Sequence, residues 1–175
     1  MKRRIFYLFV LAMFIAISVP FGATAQETVK LGVVEPFSGT FKDIADRYTE
    51  GITYATKKIN EKGGLLGKKL EVVQIDAEAN PTVAARKTQA AFMRDGIKFF
   101  YTGSGSAIGA AVSQTADKLG AMTISHGAHA ASLTGEKCNK HFFRCNINTD
   151  ITSYALASVM AKKKPKSVAI MVQDY

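Results

Sequence analysis

The chain predicts an α/β fold: a Rossmann-like parallel sheet with helices on both faces. Three observations carry this reading. Short apolar runs alternate with longer runs of helical period from residue 29 onward, and that alternation builds parallel sheets. The first short run, VKLGVV, is apolar enough to be buried on both sides. Glycine, asparagine and proline stand at the junctions between runs.

Each element can be justified in turn. Val29–Val34 is the first strand, and Glu35-Pro36-Phe37-Ser38-Gly39-Thr40 is a loop by its Pro, Ser and Gly content. A helix follows from about Asp43, with Ile44, Tyr48, Ile52, Ala55 and Ile59 as its apolar stripe. Gly63-Gly64 ends it, and Gly67-Lys68 makes a tight turn. Lys69–Asp76 (KLEVVQID) is the second strand. Asn80 caps the next helix with Pro81 in its first turn, and Gly96 stops it after Asp95. Ile97–Thr102 is the third strand, with an aromatic core from Phe99.

The turn Gly103-Ser104-Gly105-Ser106 comes next. Its glycines let another molecule approach the backbone. Ser106 reads as the N-cap of a helix faced by Ile108, Val112, Thr115 and Leu119. Free amides and the positive end of a helix dipole favour an anion there, such as a carboxylate. Gly120 closes that helix, and Ala121–Ser125 is the fourth strand. A loop runs from His126 to His141, and Phe142–Cys145 is a short extended piece. Asp150–Ala161 is a helix, Pro165 breaks it, and Ser167–Gln173 is a last apolar strand. In such sheets ligands bind at the carboxyl ends of the strands. Those ends are Glu35 to Thr40, Asp76, Gly103 to Ser106 and Ser125 to His129.

The 175 residues suffice for one domain with a core. Lys2, Arg3 and Arg4, the apolar run Ile5–Val19 and Ala23-Thr24-Ala25 form a secretory signal pattern, residues 1–25, with the mature chain starting at Gln26. A membrane anchor is the rival reading, but the run is short for a span and a cleavage motif follows it. The formal charge is +9, three units of which belong to the leader. The remaining basic residues are scattered apart from Lys162-Lys163-Lys164 and Lys166. That suits a solvated surface in an exported protein better than a nucleic-acid partner. In an oxidising compartment the two cysteines, Cys138 and Cys145, are expected to pair. A zinc site drawing on His126, His129 and His141 has no matching ligand spacing. No cofactor or metal is expected.

VKLGVVEPFSG, INEKGGLLGKKLEVVQID, the GSGS turn, MTIS, FFRC and SVAIMVQDY together resemble the N-terminal part of type 1 periplasmic binding proteins. They are most similar to the Leu/Ile/Val-binding proteins that feed branched-chain amino acid ABC importers. The resemblance implies two lobes joined by a hinge and closing over a ligand. Residues 26–145 would be the first lobe, 146–150 a hinge crossing and 151–175 the start of a truncated second lobe. It implies carboxylate binding by Ser106, with amides at Ser104 and Gly105. Gly127, Ala128 and His129 would lie in a second contact loop, and Ser38 to Ile44 at the rim. Ile44 stands where the family often has tyrosine, and His129 where it often has threonine; the family's acidic partner for a ligand ammonium would lie in the second lobe, so a ligand lacking an ammonium, such as an aromatic or aliphatic carboxylate, is open beside an amino acid. His129 could serve as a second donor to it. The expected protein is a monomeric periplasmic binder partnered by a membrane permease, and not an enzyme.

Two rivals remain. The fold also serves as the outer domain of sensors and receptors. Gly103-x-Gly105-x-x-x-Gly109 resembles a dinucleotide turn of nicotinamide-dependent oxidoreductases, but it follows the third strand and lacks the downstream strand-end acid. Ser106, His129 and Asp76 do not make a nucleophile elbow.

Overall fold

The structure is a computed structural model describing residues 27–171. The expected leader lies outside the described residues. Five parallel strands form one sheet: β1 (Thr28–Glu35), β2 (Lys69–Asp76), β3 (Phe99–Thr102), β4 (Met122–Ser125) and β5 (Phe142–Arg144). Their spatial order is β2-β1-β3-β4-β5. Among the described residues four helices accompany them: α1 (Lys42–Glu61), α2 (Pro81–Asp95), α3 (Ser106–Lys118) and α4 (Thr149–Lys163). Single 3-10 turns cover Gly39–Phe41 and Ala131–Thr134.

Local chemistry sets the boundaries. The Asn80 side chain accepts from the amides of Thr82 and Val83, Pro81 opens α2, and Gly96 closes it at φ 69°. Asn60, near the end of α1, bonds both the amide and the carbonyl of Leu70 at 2.8 Å. It thereby stands in for a strand neighbour at the start of β2.

Alternation of side chains across β1, β2 and β3 sends Val34, Ile75 and Phe100 to one face of the sheet. There they pack with Ala84 and Ala91 of α2 and with Ile108, Val112 and Ala116 of α3, all buried. The buried face of α3 is therefore Ile108, Val112 and Ala116 rather than the expected run through Thr115 and Leu119. Among the described residues α1 is the helix on the opposite face. That helix buries Ala45, Thr49 and Thr56, while Ile44 and Ile59 of the expected stripe remain 46% and 39% exposed. Between α1 and the sheet lies an apolar groove of about 310 Å³ lined by Ile52, Ile59, Leu31, Leu70, Phe99 and Tyr101.

One expectation near the end of the chain is corrected. Residues 167–171 form no strand, and 172–175 lie outside the described residues. Val168, Ile170 and Met171 are exposed, so an apolar run without a neighbouring strand has nothing to pair with. The last helix forms, from Thr149 to Lys163, but none of its residues is buried. Among the described residues no helix is long and apolar enough to cross a membrane.

Candidate functional site

The carboxyl ends of β1, β3 and β4 meet where the strand order reverses, between β1 and β3. In open α/β sheets that crevice is the ligand site. The loop after β1 is held by Asp76 at the end of β2. Its Oδ1 accepts from the amides of Phe37 and Glu78, each at 2.9 Å, and the Ser38 hydroxyl beside it favours its ionised form. Burial alone would raise the Asp76 pKa. Hydrogen bonds from Glu78, Ser38 and Phe37, aided by Lys87, outweigh it and hold the carboxyl below its ordinary range. Ser38 is thus an exposed rim residue engaged with Asp76, and Asp76 is a support for the loop. Ile44 is exposed at the start of α1.

The turn after β3 differs from the sequence reading in two ways. The Ser104 amide is not free, because it donates to Glu35 Oε2 at 3.0 Å. Gly105, not Ser106, occupies the cap position of α3, and no side chain caps that helix. Ser106 is its first residue, and its Oγ accepts from the Ala130 amide at 3.0 Å. The hydroxyl therefore ties α3 to the loop after β4. The amides of the first turn of α3 lack a side-chain acceptor, which leaves the positive helix end available to an anion.

The loop after β4 is bound from several sides. Ala128 is buried, and its amide donates to Ser125 Oγ at 3.2 Å. Its carbonyl accepts from Arg144 at 2.9 Å, and the Ala130 carbonyl accepts from the same guanidinium at 2.6 Å. Burial pulls the Arg144 pKa down. The Asn146 amide reaches the carbonyls of Ile147 at 2.8 Å and Ala128 at 3.3 Å. His129 is exposed; its Nδ1 lies 3.0 Å from the Ile147 carbonyl, and its own carbonyl accepts from Thr149. A carbonyl can only accept, so Nδ1 carries the proton. In that tautomer Nε2 is an acceptor, which does not suit the expected donor role toward a carboxylate.

The two cysteines are separate exposed thiols, so the expected disulfide is absent from the structure. The Cys145 thiol is turned to the Ser125 carbonyl at 3.1 Å, while Cys138 follows the 3-10 turn, its amide bonded to Gly135. The three histidines serve different partners: His126 meets Glu35, His129 meets Ile147, and His141 meets Asp117 at 2.7 Å. Among the described residues no group of three His, Cys, Asp or Glu could hold a metal ion.

Sequence reasoning passed over Glu35, His126 and Tyr48 as one cluster. Glu35 is fully buried, and its Oε1 lies 3.0 Å from His126 Nε2. Tyr48 packs on the imidazole with ring centroids 4.4 Å apart. The available signal was a carboxylate closing an otherwise apolar strand.

A parallel five-stranded sheet flanked by helices is the fold seen in type 1 periplasmic binding proteins. The chain belongs to the periplasmic binding protein family, whose sequence profile matches residues 28–175. It is similar to the Leu/Ile/Val-binding protein homolog 4 of Brucella abortus (strain 2308), with 32% identity over 149 residues, 81% of this chain and 35% of the relative. The Leu/Ile/Val-binding protein of Escherichia coli (strain K12) is 28% identical over 145 residues, covering 83% of this chain and 39% of the relative. The closed crystal structure of a leucine-, isoleucine-, valine-, threonine- and alanine-binding protein from Brucella ovis superposes with a TM-score of 0.71 at 30% identity, covering 79% of this chain and 37% of that one. The chain thus spans 35% to 39% of the length of these curated relatives.

Proposed function

We propose that this chain supplies the first lobe of an extracytoplasmic solute-binding protein of an ABC importer. It captures an amino acid or a related small carboxylate and does no chemistry. The single observation that carries the reading is the uncapped first turn of α3 facing the loop Gly127–His129. Hydrogen bonds between Glu35 and Ser104, Ser125 and Ala128, and Ser106 and Ala130 hold the surrounding backbone, while that turn has no side-chain acceptor of its own. Residues 146–150 act as the hinge crossing, and a second lobe closes over the ligand and shifts the population toward the closed state. A membrane permease is the partner, and the binding protein acts as a monomer in the periplasm.

An amide NMR titration of residues 26–175 tests this. L-leucine and benzoate should move the signals of Gly105, Ser106 and Ala107 with an apparent Kd on the order of millimolar, since one lobe supplies half the contacts. Leucinamide, which lacks the carboxylate, should leave them in place. Equal responses to leucine and leucinamide would remove the carboxylate reading. Micromolar binding by this chain alone would remove the two-lobe reading.

A further inference from the structure

Beneath the two ligand-facing turns lies a polar cluster that ligand capture does not itself employ. Glu35 ends β1 with its side chain fully buried. Its main-chain carbonyl accepts from Phe37 at 3.0 Å and from Ala77 at 2.8 Å. Its Oε2 accepts from the Ser104 amide. Its Oε1 approaches His126 Nε2 to 3.0 Å but off line, so neither atom makes a regular hydrogen bond. The other ring nitrogen of His126 and the Ser104 hydroxyl are also buried without partners. Burying such groups costs free energy that an apolar residue at the end of β1 would not incur.

The backbone around the cluster is fitted to it. A Cβ at Gly103 would come within 2.4 Å of the His126 ring. One at Gly127 would come within 2.7 Å of the Tyr48 hydroxyl and 2.8 Å of the Gly103 carbonyl. The two turns therefore lie backbone against backbone, with His126 and Tyr48 wedged beside them.

We infer that Glu35, His126 and Tyr48 form a buried clamp that fixes the spacing between the turns Gly103–Ser106 and Gly127–His129, and thereby the geometry in which a ligand is held. The ligand part of this inference rests on the solute-binding function proposed above; the clamp itself does not. All three are positioning residues, acting through the Ser104 amide and the Gly127 backbone.

Hydrogen exchange and amide shifts on the full chain test the clamp. Glu35→Met keeps the shape and removes the acceptor. Exchange protection at Ser104 should fall about tenfold or more, the scale of losing one buried hydrogen bond. The Gly127 signal should move, while Phe100 and Val112 keep their protection. Glu35→Gln retains an acceptor and should restore Ser104. Tyr48→Phe should shift Gly127 and spare Ser104. Unchanged Ser104 protection in the Met variant would overturn the clamp, as would a loss spread evenly over β1 to β4 in both Glu35 variants. If the Met variant fails to fold, the Gln and Phe variants still decide. L-leucine then serves as the ligand probe. A Glu35→Met chain that binds it as the parent does, within twofold, would overturn the role in ligand geometry. A parent chain that ignores leucine but shows the expected Ser104 and Gly127 changes would support the clamp and count against leucine as the ligand.

Discussion

Helices α2 and α4 have the same length, 15 residues, and nearly the same local chemistry. Each starts at an asparagine whose side chain accepts a first-turn amide, Asn80 in one and Asn148 in the other. Each ends at a residue in the left-handed region, Gly96 and Lys164, with basic residues in the last turn. Yet α2 buries Ala84, Thr88 and Ala91, whereas α4 buries nothing. Ile151, Tyr154, Leu156 and Val159 are all exposed. Capping and propensity define where a helix starts and stops. Burial of one face decides whether the rest of the molecule depends on it, since an isolated helix of this length is marginal in water.

The strongest way to break the comparison is a matched pair of charges. Glutamate is a good helix former, so it isolates burial from propensity. Ala84 is fully buried against β1 and α3, and Ala84→Glu should cost more than about 4 kcal/mol and abolish the cooperative thermal transition. Ala155 is exposed, and Ala155→Glu should stay within about 0.5 kcal/mol of the parent. Calorimetry on the two variants decides. Similar losses in both would mean that α4 packs on a surface and that the contrast is false.

A smaller effect concerns how α2 is attached. Asp76 bonds the Glu78 amide just ahead of that helix and the Phe37 amide in the rim loop. Asp76→Ala should destabilise the fold by about 2 kcal/mol at neutral pH. The folded-state pKa of Asp76 lies below its ordinary value. Its contribution is therefore present above the ordinary carboxylate range and lost as pH falls through the folded value. The stability of the Ala variant should consequently approach that of the parent in acid. A constant gap at every pH would show that the carboxylate charge plays no part.

Much of the lobe was legible because its signals are local. The spacing of VKLGVV, KLEVVQID and MTIS marked three strands to within a residue or two of their observed ends. Asn80, Pro81 and Gly96 bounded α2 without help from any distant residue. The site was legible only as positions at strand ends. What the positions do depends on pairings that sequence order hides: Glu35 and Ser104 are 69 residues apart and meet because β1 lies beside β3. Tyr48 looked like one more apolar residue in a stripe, and His126 like one more loop histidine. The run Ser167–Met171 shows the reverse error. It has strand composition, but a strand needs a neighbour, and composition does not provide one.

The finest test uses the two caps themselves. Asn80 accepts from Thr82 at 2.8 Å and from Val83 at 3.2 Å, and Asn148 accepts from Ile151 at 3.0 Å. Replacing either by alanine removes the same kind of bond, worth about 1 kcal/mol to its helix. For Asn80→Ala that loss is transmitted, because α2 forms only together with the core face it covers. The unfolding free energy should fall by about 1 kcal/mol. For Asn148→Ala the loss stays within α4: far-ultraviolet circular dichroism should report slightly less helix while the main unfolding transition does not move. The two variants share one chemical change and differ in whether a buried face stands behind it. If Asn148→Ala lowered the main transition as much as Asn80→Ala, then α4 and the five-stranded sheet would be one cooperative unit, and exposure would be a poor guide to coupling in this lobe.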